Sequence, residues 1–269
     1  MKLAFAGKGG VGKTSLTAWL GDYLARNGEN VWLVDADTAL SLGRASGLSP
    51  AELPAPLISR RDLIEERIRG LGETLLNLNP DVDDLPEALS VPLAVSGPLG
   101  PGRRAGEKRL LVMGALNAAG GGCACDANAL LKALLAHLVL ERGEWVLVDL
   151  EAGVEHLGRG TAMYVDGIVI VSEPSLRSLE TAAQISAMAS ELGVSKQILA
   201  LNRAGANSAP VLPEGLRESL PAKSIALPRL AALEELQFSS ASVLGLDPAT
   251  QESIDAFCLN LINSLNAFK

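Results

Sequence analysis

Short runs of aliphatic residues alternate with longer amphipathic stretches along most of the chain. The aliphatic runs are continuous, which is typical of strands buried on both faces of a parallel sheet. We predict strands at Lys2–Ala6, Val31–Asp35, Arg109–Met113, Trp145–Leu150, Gly167–Ser172, Gln197–Asn202 and Lys223–Leu227. Helices are predicted at Lys13–Asn27, Asp126–Arg142, Leu176–Leu192, Pro213–Ser219 and Pro248–Ala267. The alternation predicts an α/β fold built on a doubly wound, mostly parallel sheet.

Residues at about 49–107 break this pattern. They contain one charged helix candidate, Arg60–Arg69, and a run rich in proline and glycine from Leu85 to Gly102. We interpret this stretch as an irregular insertion at the edge of the sheet, because it lacks the pattern of a second domain. The sequence therefore predicts a single domain over 1–269.

Composition narrows the classes of protein. Of the 269 residues, 48% are hydrophobic and only 3% aromatic, so the core must be aliphatic. The net charge of −8 provides no general field for nucleic acid or anionic lipid, and we predict neither a nucleic-acid nor a membrane partner. No uncharged apolar run approaches 18 residues and no signal peptide is apparent, which predicts no transmembrane helix. With only three cysteines, these features predict a cytoplasmic protein.

A phosphate-binding loop is predicted at Gly7–Thr14, which reads GKGGVGKT and lies between a strand and a helix. It satisfies the pattern G-x-x-x-x-G-K-[ST] in the context that the pattern requires, which predicts a P-loop NTPase. Lys13 is expected to reach the β- and γ-phosphates as a catalytic group, and the Thr14 hydroxyl to ligate Mg²⁺. The residues expected to bind the nucleotide are Gly9, Gly10, Val11, Gly12, Lys13, Thr14 and Ser15.

Lys8 is a second lysine within the same loop. In the deviant form of the motif, K-G-G-x-G-K-[ST], the first lysine reaches the phosphates bound by a partner subunit, much as an arginine finger does. We therefore predict a catalytic Lys8 that acts across a homodimer. The alternative is a solvated surface lysine.

Carboxylates stand at the ends of two predicted strands. Asp35 and Asp37 close the second strand, and Asp149 closes the strand at Trp145–Leu150. We expect Asp35 and Asp149 to belong to the Mg²⁺ site and Asp37 to position the attacking water. The alternative for each is a helix cap or loop carboxylate. Together with the phosphate loop, they make nucleotide hydrolysis the leading reaction.

Asn202 ends a strand and is followed by Arg203, so both are candidates for binding the nucleotide. A guanine-selective site places an Asp three positions after such an Asn, but Gly205 occupies that position here. The sequence therefore favours ATP over GTP.

A Cys-x-Cys pair, Cys123 and Cys125, lies between glycines and a predicted helix. Thiolates bind soft or borderline metals such as Ni²⁺ or Zn²⁺. Two ligands do not complete a coordination shell, but a symmetric dimer supplies four. Three alternatives stay open, namely incidental free cysteines, a redox dithiol and ligands of an Fe–S cluster. His156 is a further candidate ligand.

Five segments carry a resemblance to a known superfamily: Gly7–Thr14, Val34–Asp37, Cys123–Cys125, Asp149–Gly160, and Glu173–Ser175 with Arg177–Glu180. The chain resembles the deviant Walker A ATPases, which include MinD, ParA and the nitrogenase iron protein. More narrowly, it is similar to the CooC-type accessory ATPases of carbon monoxide dehydrogenase. One departure is Thr38, which follows Asp37 where the family commonly has proline.

The resemblance implies a cytoplasmic homodimer that depends on nucleotide. It also implies that Ni²⁺ or Zn²⁺ binds between the subunits through Cys123 and Cys125. ATP hydrolysis would then be linked to the delivery of nickel to apo carbon monoxide dehydrogenase, the client.

Two other functions of this superfamily are alternatives to nickel delivery. An electron-transfer ATPase would hold an Fe–S cluster between subunits, with cysteines from two separated segments, whereas the only paired thiols here are adjacent. A MinD/ParA-type positioning ATPase would bind membrane or DNA, which the acidic charge disfavours.

Overall fold

The computed structural model of the chain describes residues 1–69, 77, 80–96, 104–114, 129–130, 133–134, 136–138, 144–150, 165–205 and 212–268. Eight strands form one sheet in these regions. They are β1 Lys2–Ala6, β2 Val31–Ala36, β3 Val91–Pro92, β4 Lys108–Val112, β5 Trp145–Leu150, β6 Gly167–Ser172, β7 Gln197–Ala204 and β8 Lys223–Pro228.

The sheet has the order β3-β4-β2-β5-β1-β6-β7-β8. Every neighbouring pair is parallel except β3 with β4. The predicted α/β fold with a mostly parallel sheet is therefore confirmed. Because parallel strands end at the same edge of a sheet, this order brings the ends of β1, β2, β5, β6 and β7 together.

Seven helices are described: α1 Lys13–Arg26, α2 Leu42–Ala45, α3 Arg61–Arg69, α4 Leu85–Leu89, α5 Leu176–Glu191, α6 Ala231–Leu236 and α7 Pro248–Asn266. Residues 129–130, 133–134 and 136–138 are also helical, within the helix predicted over Asp126–Arg142. None of the described helices is both long and apolar enough to cross a bilayer.

The helix predicted at Pro213–Ser219 is wrong. The structure has only a 3₁₀ turn there, at Glu214–Leu216. Pro213 has an extended backbone, and Gly215 stands within the turn. Glycine is costly inside a helix and proline ends one, so the segment closes after a single turn.

Apolar side chains cover both faces of the sheet. On one face, Ile170 of β6 and Leu179 of α5 belong to the same buried cluster. On the other face, Leu3 and Phe5 of β1 share a cluster with residues of α1 and α7. Burial on both faces explains why the strands appear in the sequence as continuous apolar runs.

The described parts of the stretch at 49–107 lie against the β4 edge of the sheet. β3 pairs antiparallel with β4, and Pro92 is tolerated there because β3 is the edge strand. Ser96 is tied to α1, since its backbone amide donates to Oδ1 of Asp22 over 3.2 Å. These contacts hold the stretch beside the sheet, at the side away from β7 and β8. Its interpretation as an insertion within a single domain stays a prediction.

Candidate functional site

The P-loop follows β1 and ends at Gly12, the residue that caps the N-terminus of α1. Two of its glycines leave no room for a side chain. A Cβ on Gly7 would lie 2.2 Å from the carbonyl oxygen of Val171, and a Cβ on Gly12 would lie 2.3 Å from Nδ2 of Asn202. Gly12 also has a φ of +99°, which disfavours any other residue. Close packing against β6 and β7 therefore requires glycine at both positions.

The first turn of α1 brings Lys13 and Thr14 to a cavity of about 450 Å³. Lys13 is 94% buried, with a relative exposure of 6%. The wall of the cavity is formed by the P-loop, by Asp37 and Ser41 from the segment after β2, by Arg203 and by Gln237. The backbone amides at the start of α1 favour an anion here. This cavity is where the structure brings the predicted phosphate-binding residues together.

Thr14 and Asp149 form the centre of a candidate Mg²⁺ site. The Thr14 hydroxyl donates to Oδ2 of Asp149 over 2.6 Å and lies 3.3 Å from Oγ of Ser41. Oδ1 of Asp149 is buried and has no hydrogen-bond partner among the described residues. Hydroxyl and carboxylate oxygens are ligands that Mg²⁺ prefers, directly or through water. The unpartnered oxygen therefore fits a cation or its hydration shell.

Burial raises the pKa of Asp149 to about 7, and the charge of nearby Asp35 adds to this shift. The hydrogen bond from Thr14 and the charge of Lys13 oppose it. Burial also raises the pKa of Asp35, to about 6. Two buried carboxyls that resist ionisation are stabilised as anions by a divalent cation, so the electrostatics agree with the geometry.

Asp35 organises the segment after β2. Its Oδ2 accepts a hydrogen bond of 2.9 Å from the amide of Leu42, and its Oδ1 accepts one of 3.3 Å from the amide of Asp37. Asp37 lines the cavity, and its Oδ1 accepts from the amide of Ala39. The predicted roles of Asp35 at the metal and Asp37 at the water stay predictions.

The end of β7 braces the P-loop. Asn202 is buried, its Nδ2 donates to the carbonyl of Val11 over 2.8 Å, and its Oδ1 accepts from the amide of Arg203. The Arg203 guanidinium donates to the carbonyl of Gly10 over 3.4 Å and pairs with Glu173. Arg203 lines the cavity. The structure thus gives both residues a contact with the loop, and their contact with a nucleotide stays a prediction.

Lys8 is partly exposed, and its ammonium forms no ion pair with the described residues. Its carbonyl accepts a hydrogen bond of 3.4 Å from the amide of Val11. Cys123, Cys125 and His156 lie outside the described residues. Within the described part of the chain, no cluster of three or more His, Cys, Asp or Glu side chains is arranged to hold a metal ion.

Three residues of the site were not among those predicted from the sequence: Ser41, Glu173 and Gln237. Ser41 lies beside Thr14, Glu173 pairs with Arg203, and Gln237 lines the cavity from the end of α6. Glu173 directly follows β6 as Asp37 follows β2, and Asp149 is the last residue but one of β5. This place at the end of an apolar strand is the signal that singled out Asp37 and Asp149. Ser41 and Gln237 have no comparable signal in the sequence.

Comparison with known proteins agrees with this geometry. The CobQ/CobB/MinD/ParA nucleotide binding domain family matches residues 3–243. The chain belongs to this family and is a nucleotide-binding ATPase of the MinD/ParA type.

Within the family, the narrower resemblance expected from the sequence is confirmed. The chain is 44% identical over 199 residues to the carbon monoxide dehydrogenase accessory protein CooC of Rhodospirillum rubrum, covering 72% of this chain and 71% of that one. It is 38% identical over 223 residues to an uncharacterized ATP-binding protein of Methanocaldococcus jannaschii, covering 82% and 81%.

Solved structures show the same fold. A chain of the MinC:MinD cell division protein complex of Aquifex aeolicus has a TM-score of 0.66 at 21% identity, covering 97% of this chain and 95% of that one. MinD of Pyrococcus horikoshii, solved with Mg-ADP, has a TM-score of 0.62 at 16% identity, covering 99% and 97%. At these identities the likeness establishes the fold alone.

Proposed function

We propose that this chain is a metallochaperone that couples ATP hydrolysis to the insertion of nickel into carbon monoxide dehydrogenase. The observation that carries the proposal is the 44% identity over 199 residues to a CooC accessory protein. The Thr14–Asp149 pair supports the proposed ATP hydrolysis, because it offers oxygen ligands for Mg²⁺ beside the phosphate loop.

The chain's own residues divide the work at the cavity. Backbone amides from Gly9 to Ser15 and the buried Lys13 bind the phosphates. Thr14 and Asp149, with Asp35 nearby, hold Mg²⁺, which when bound screens the charge of the phosphate oxygens. Asp37 orients the attacking water, and Asn202 with Arg203 completes the nucleotide site. Hydrolysis then depends on positioning and charge neutralisation, as in other phosphoryl transfers.

The proposal requires two copies of the chain. The Lys8 ammonium has no ion-pair partner in the described residues, and in a homodimer it reaches the phosphates of the other protomer. Cys123 and Cys125 supply two thiolates per protomer, so the dimer offers four to the Ni²⁺ or Zn²⁺ cargo. Apo carbon monoxide dehydrogenase in the cytoplasm is the proposed recipient of the nickel.

The test combines light scattering with metal analysis of the purified protein. With Ni²⁺ and a non-hydrolysable ATP analogue, wild type is expected to dimerise and hold one ion per dimer. Cys123→Ala/Cys125→Ala should lose the ion, while Cys258→Ala, which removes the buried thiol of α7, should keep it. Lys8→Ala should lose the ATP-dependent dimer and hydrolysis. A chain that stays monomeric under these conditions contradicts the proposal.

Delivery is measured by mixing the nickel-loaded protein with apo carbon monoxide dehydrogenase. Activation of the client should require ATP and should fail with the double cysteine variant. An Fe–S absorption band in protein purified without oxygen would favour the electron-transfer alternative instead. Sedimentation with DNA or liposomes in the presence of ATP would favour a positioning ATPase.

A further inference from the structure

Glu173 and Arg203 form an ion pair at the rim of the nucleotide cavity, between the ends of β6 and β7. The guanidinium of Arg203 pairs with Oε1 of Glu173, and the same Nη1 also donates to the carbonyl of Gly10 over 3.4 Å. Arg203 and Gly10 both line the cavity, whereas Glu173 does not. One side chain outside the cavity is thus connected to the P-loop through a single arginine.

The Glu173 end of this connection is anchored to α5. The amide of Glu173 donates to Oγ of Ser178 over 3.1 Å, and Oγ of Ser178 lies 2.9 Å from Oγ of Ser172. Ser172 and Ser178 are both buried. The carboxylate therefore projects from a backbone that is held in place independently of its partner.

The Arg203 end is held in an unusual conformation. Arg203 has a φ of +56°, one of only two positive values at non-glycine positions in the described part of the chain. Such a conformation is unfavourable for an L-residue and persists only where its surroundings enforce it. The Asn202 side chain, which accepts from the Arg203 amide, is one such contact. The pair with Glu173 holds the other end of Arg203, its guanidinium.

We infer that Glu173 is a positioning residue for ATP, acting through Arg203 on the carbonyl of Gly10. The pair is partly exposed, with relative exposures of 47% for Arg203 and 34% for Glu173, so it adds little to the stability of the fold. Its effect is instead to hold a flexible cation in one place, at the wall of the cavity and against the loop. The inference rests on the proposed occupation of this cavity by ATP.

A double-mutant cycle tests the inference, with Glu173→Gln, Arg203→Met and the double variant. Glu173→Gln should raise KM for ATP by about fivefold and change kcat by less than about twofold, because uniform binding is lost and Glu173 does not contact the reacting phosphate. In the Arg203→Met background, the same substitution should have no further effect. Glu191→Gln, a matched substitution at the far end of α5, should leave KM unchanged.

Two results would overturn the inference. One is an equal rise in KM with Arg203→Met already present, since Glu173 would then act by another route. The other is a fall in kcat at unchanged KM. Melting temperatures of all variants should stay close to that of wild type, which separates positioning from a loss of fold. Lys13→Ala separates the two proposals: if it binds ATP normally, the cavity is not the nucleotide site and the proposed function fails as well.

Discussion

The hydroxyl of Thr14 donates a hydrogen bond of 2.6 Å to the carboxylate of Asp149, joining the first turn of α1 to the end of β5. The two residues are separated by 135 positions in the sequence and meet because β1 and β5 are parallel neighbours. Oδ1 of Asp149 is buried and left without a partner among the described residues, and Thr14 lines the cavity. This relationship is the basis of the first two predictions.

Replacing the Thr14 hydroxyl should weaken Mg²⁺ binding selectively. Thr14→Ala is expected to raise the Mg²⁺ concentration for half-maximal hydrolysis by about 10–100-fold, the range typical when a residue that supports a metal is lost. Thr14→Ser keeps the hydroxyl and is the matched control. The measurement is ATPase rate against Mg²⁺ at saturating ATP, and equal Mg²⁺ dependence of the two variants would refute the assignment.

Mg²⁺ affinity should rise with pH through the neutral range. Burial raises the pKa of Asp149 to about 7 and that of Asp35 to about 6, so at pH 6 the site holds protons that the cation must displace. Deprotonation at higher pH removes that cost, and the affinity increases from pH 6 to pH 8. Calorimetry in buffers of different ionisation enthalpy measures the released protons. Asp149→Asn should release fewer protons than wild type when Mg²⁺ binds. An unchanged number of released protons would contradict the raised pKa of Asp149.

The P-loop should not tolerate a side chain at Gly12. The new Cβ of Gly12→Ala would lie 2.3 Å from Nδ2 of Asn202, which is held on the carbonyl of Val11. The positive φ alone costs about 1–2 kcal/mol, so both the melting temperature and the affinity for ATP should fall. Gly9→Ala, with nothing within 4 Å of its Cβ, is the control and should keep the wild-type melting temperature.

A buried ion pair joins α1 to the first residue of β4, at the end of the sheet opposite to the P-loop. Nζ of Lys108 lies 2.7 Å from Oδ1 of Asp22, and their side chains are 0% and 2% exposed. Burial alone would raise the pKa of Asp22, but Lys108 and Ser96 hold it below its usual value. Asp22 also accepts a hydrogen bond of 3.0 Å from Nε of Arg26, so Lys108→Met leaves the buried carboxylate with one cation in place of two. The free energy of unfolding should fall by about 3 kcal/mol, the lower end of the range for a buried pair that loses one partner.

Denaturant unfolding measures that change, and Lys196→Met at a partly exposed position serves as the control. The affinity of folded Lys108→Met for ATP should equal that of wild type. This is because Lys108 begins β4, whereas the P-loop lies at the carboxyl ends of the strands. A weaker affinity would show that the ion pair at the start of β4 is coupled to the nucleotide site at the carboxyl ends of the strands.

The strands were largely predictable because burial on both faces leaves a plain signal. The bounds of β1, β5 and β6 agree with the predicted runs to the residue. β7 extends two residues past Asn202, which looked like a strand end, because its pairing with β8 resumes at Ala204 after an irregularity. β3 has only two residues, one of them Pro92, and owes its existence to pairing with β4. Such tertiary effects leave no periodicity in the sequence.

The candidate site also has a part that the sequence predicts and a part that depends on tertiary contacts. The P-loop and its acidic partners follow from local motifs that stand at strand ends. The contacts of Asn202 and Arg203 with the loop do not, because they span 191 and 193 positions and depend on the order of strands in the sheet. Likewise, Glu173 meets Arg203 only because β6 and β7 are neighbours.

The contacts of Asn202 and Arg203 with the P-loop have a consequence during biosynthesis. β1 emerges from the ribosome first, yet both of its neighbours, β5 and β6, are made more than 140 residues later. The braces on the carbonyls of Gly10 and Val11 arrive later still, with β7. A nascent chain that ends before Asn202 carries the whole nucleotide motif but lacks both of these contacts. The P-loop therefore gains these two contacts only once about three quarters of the polypeptide has been translated.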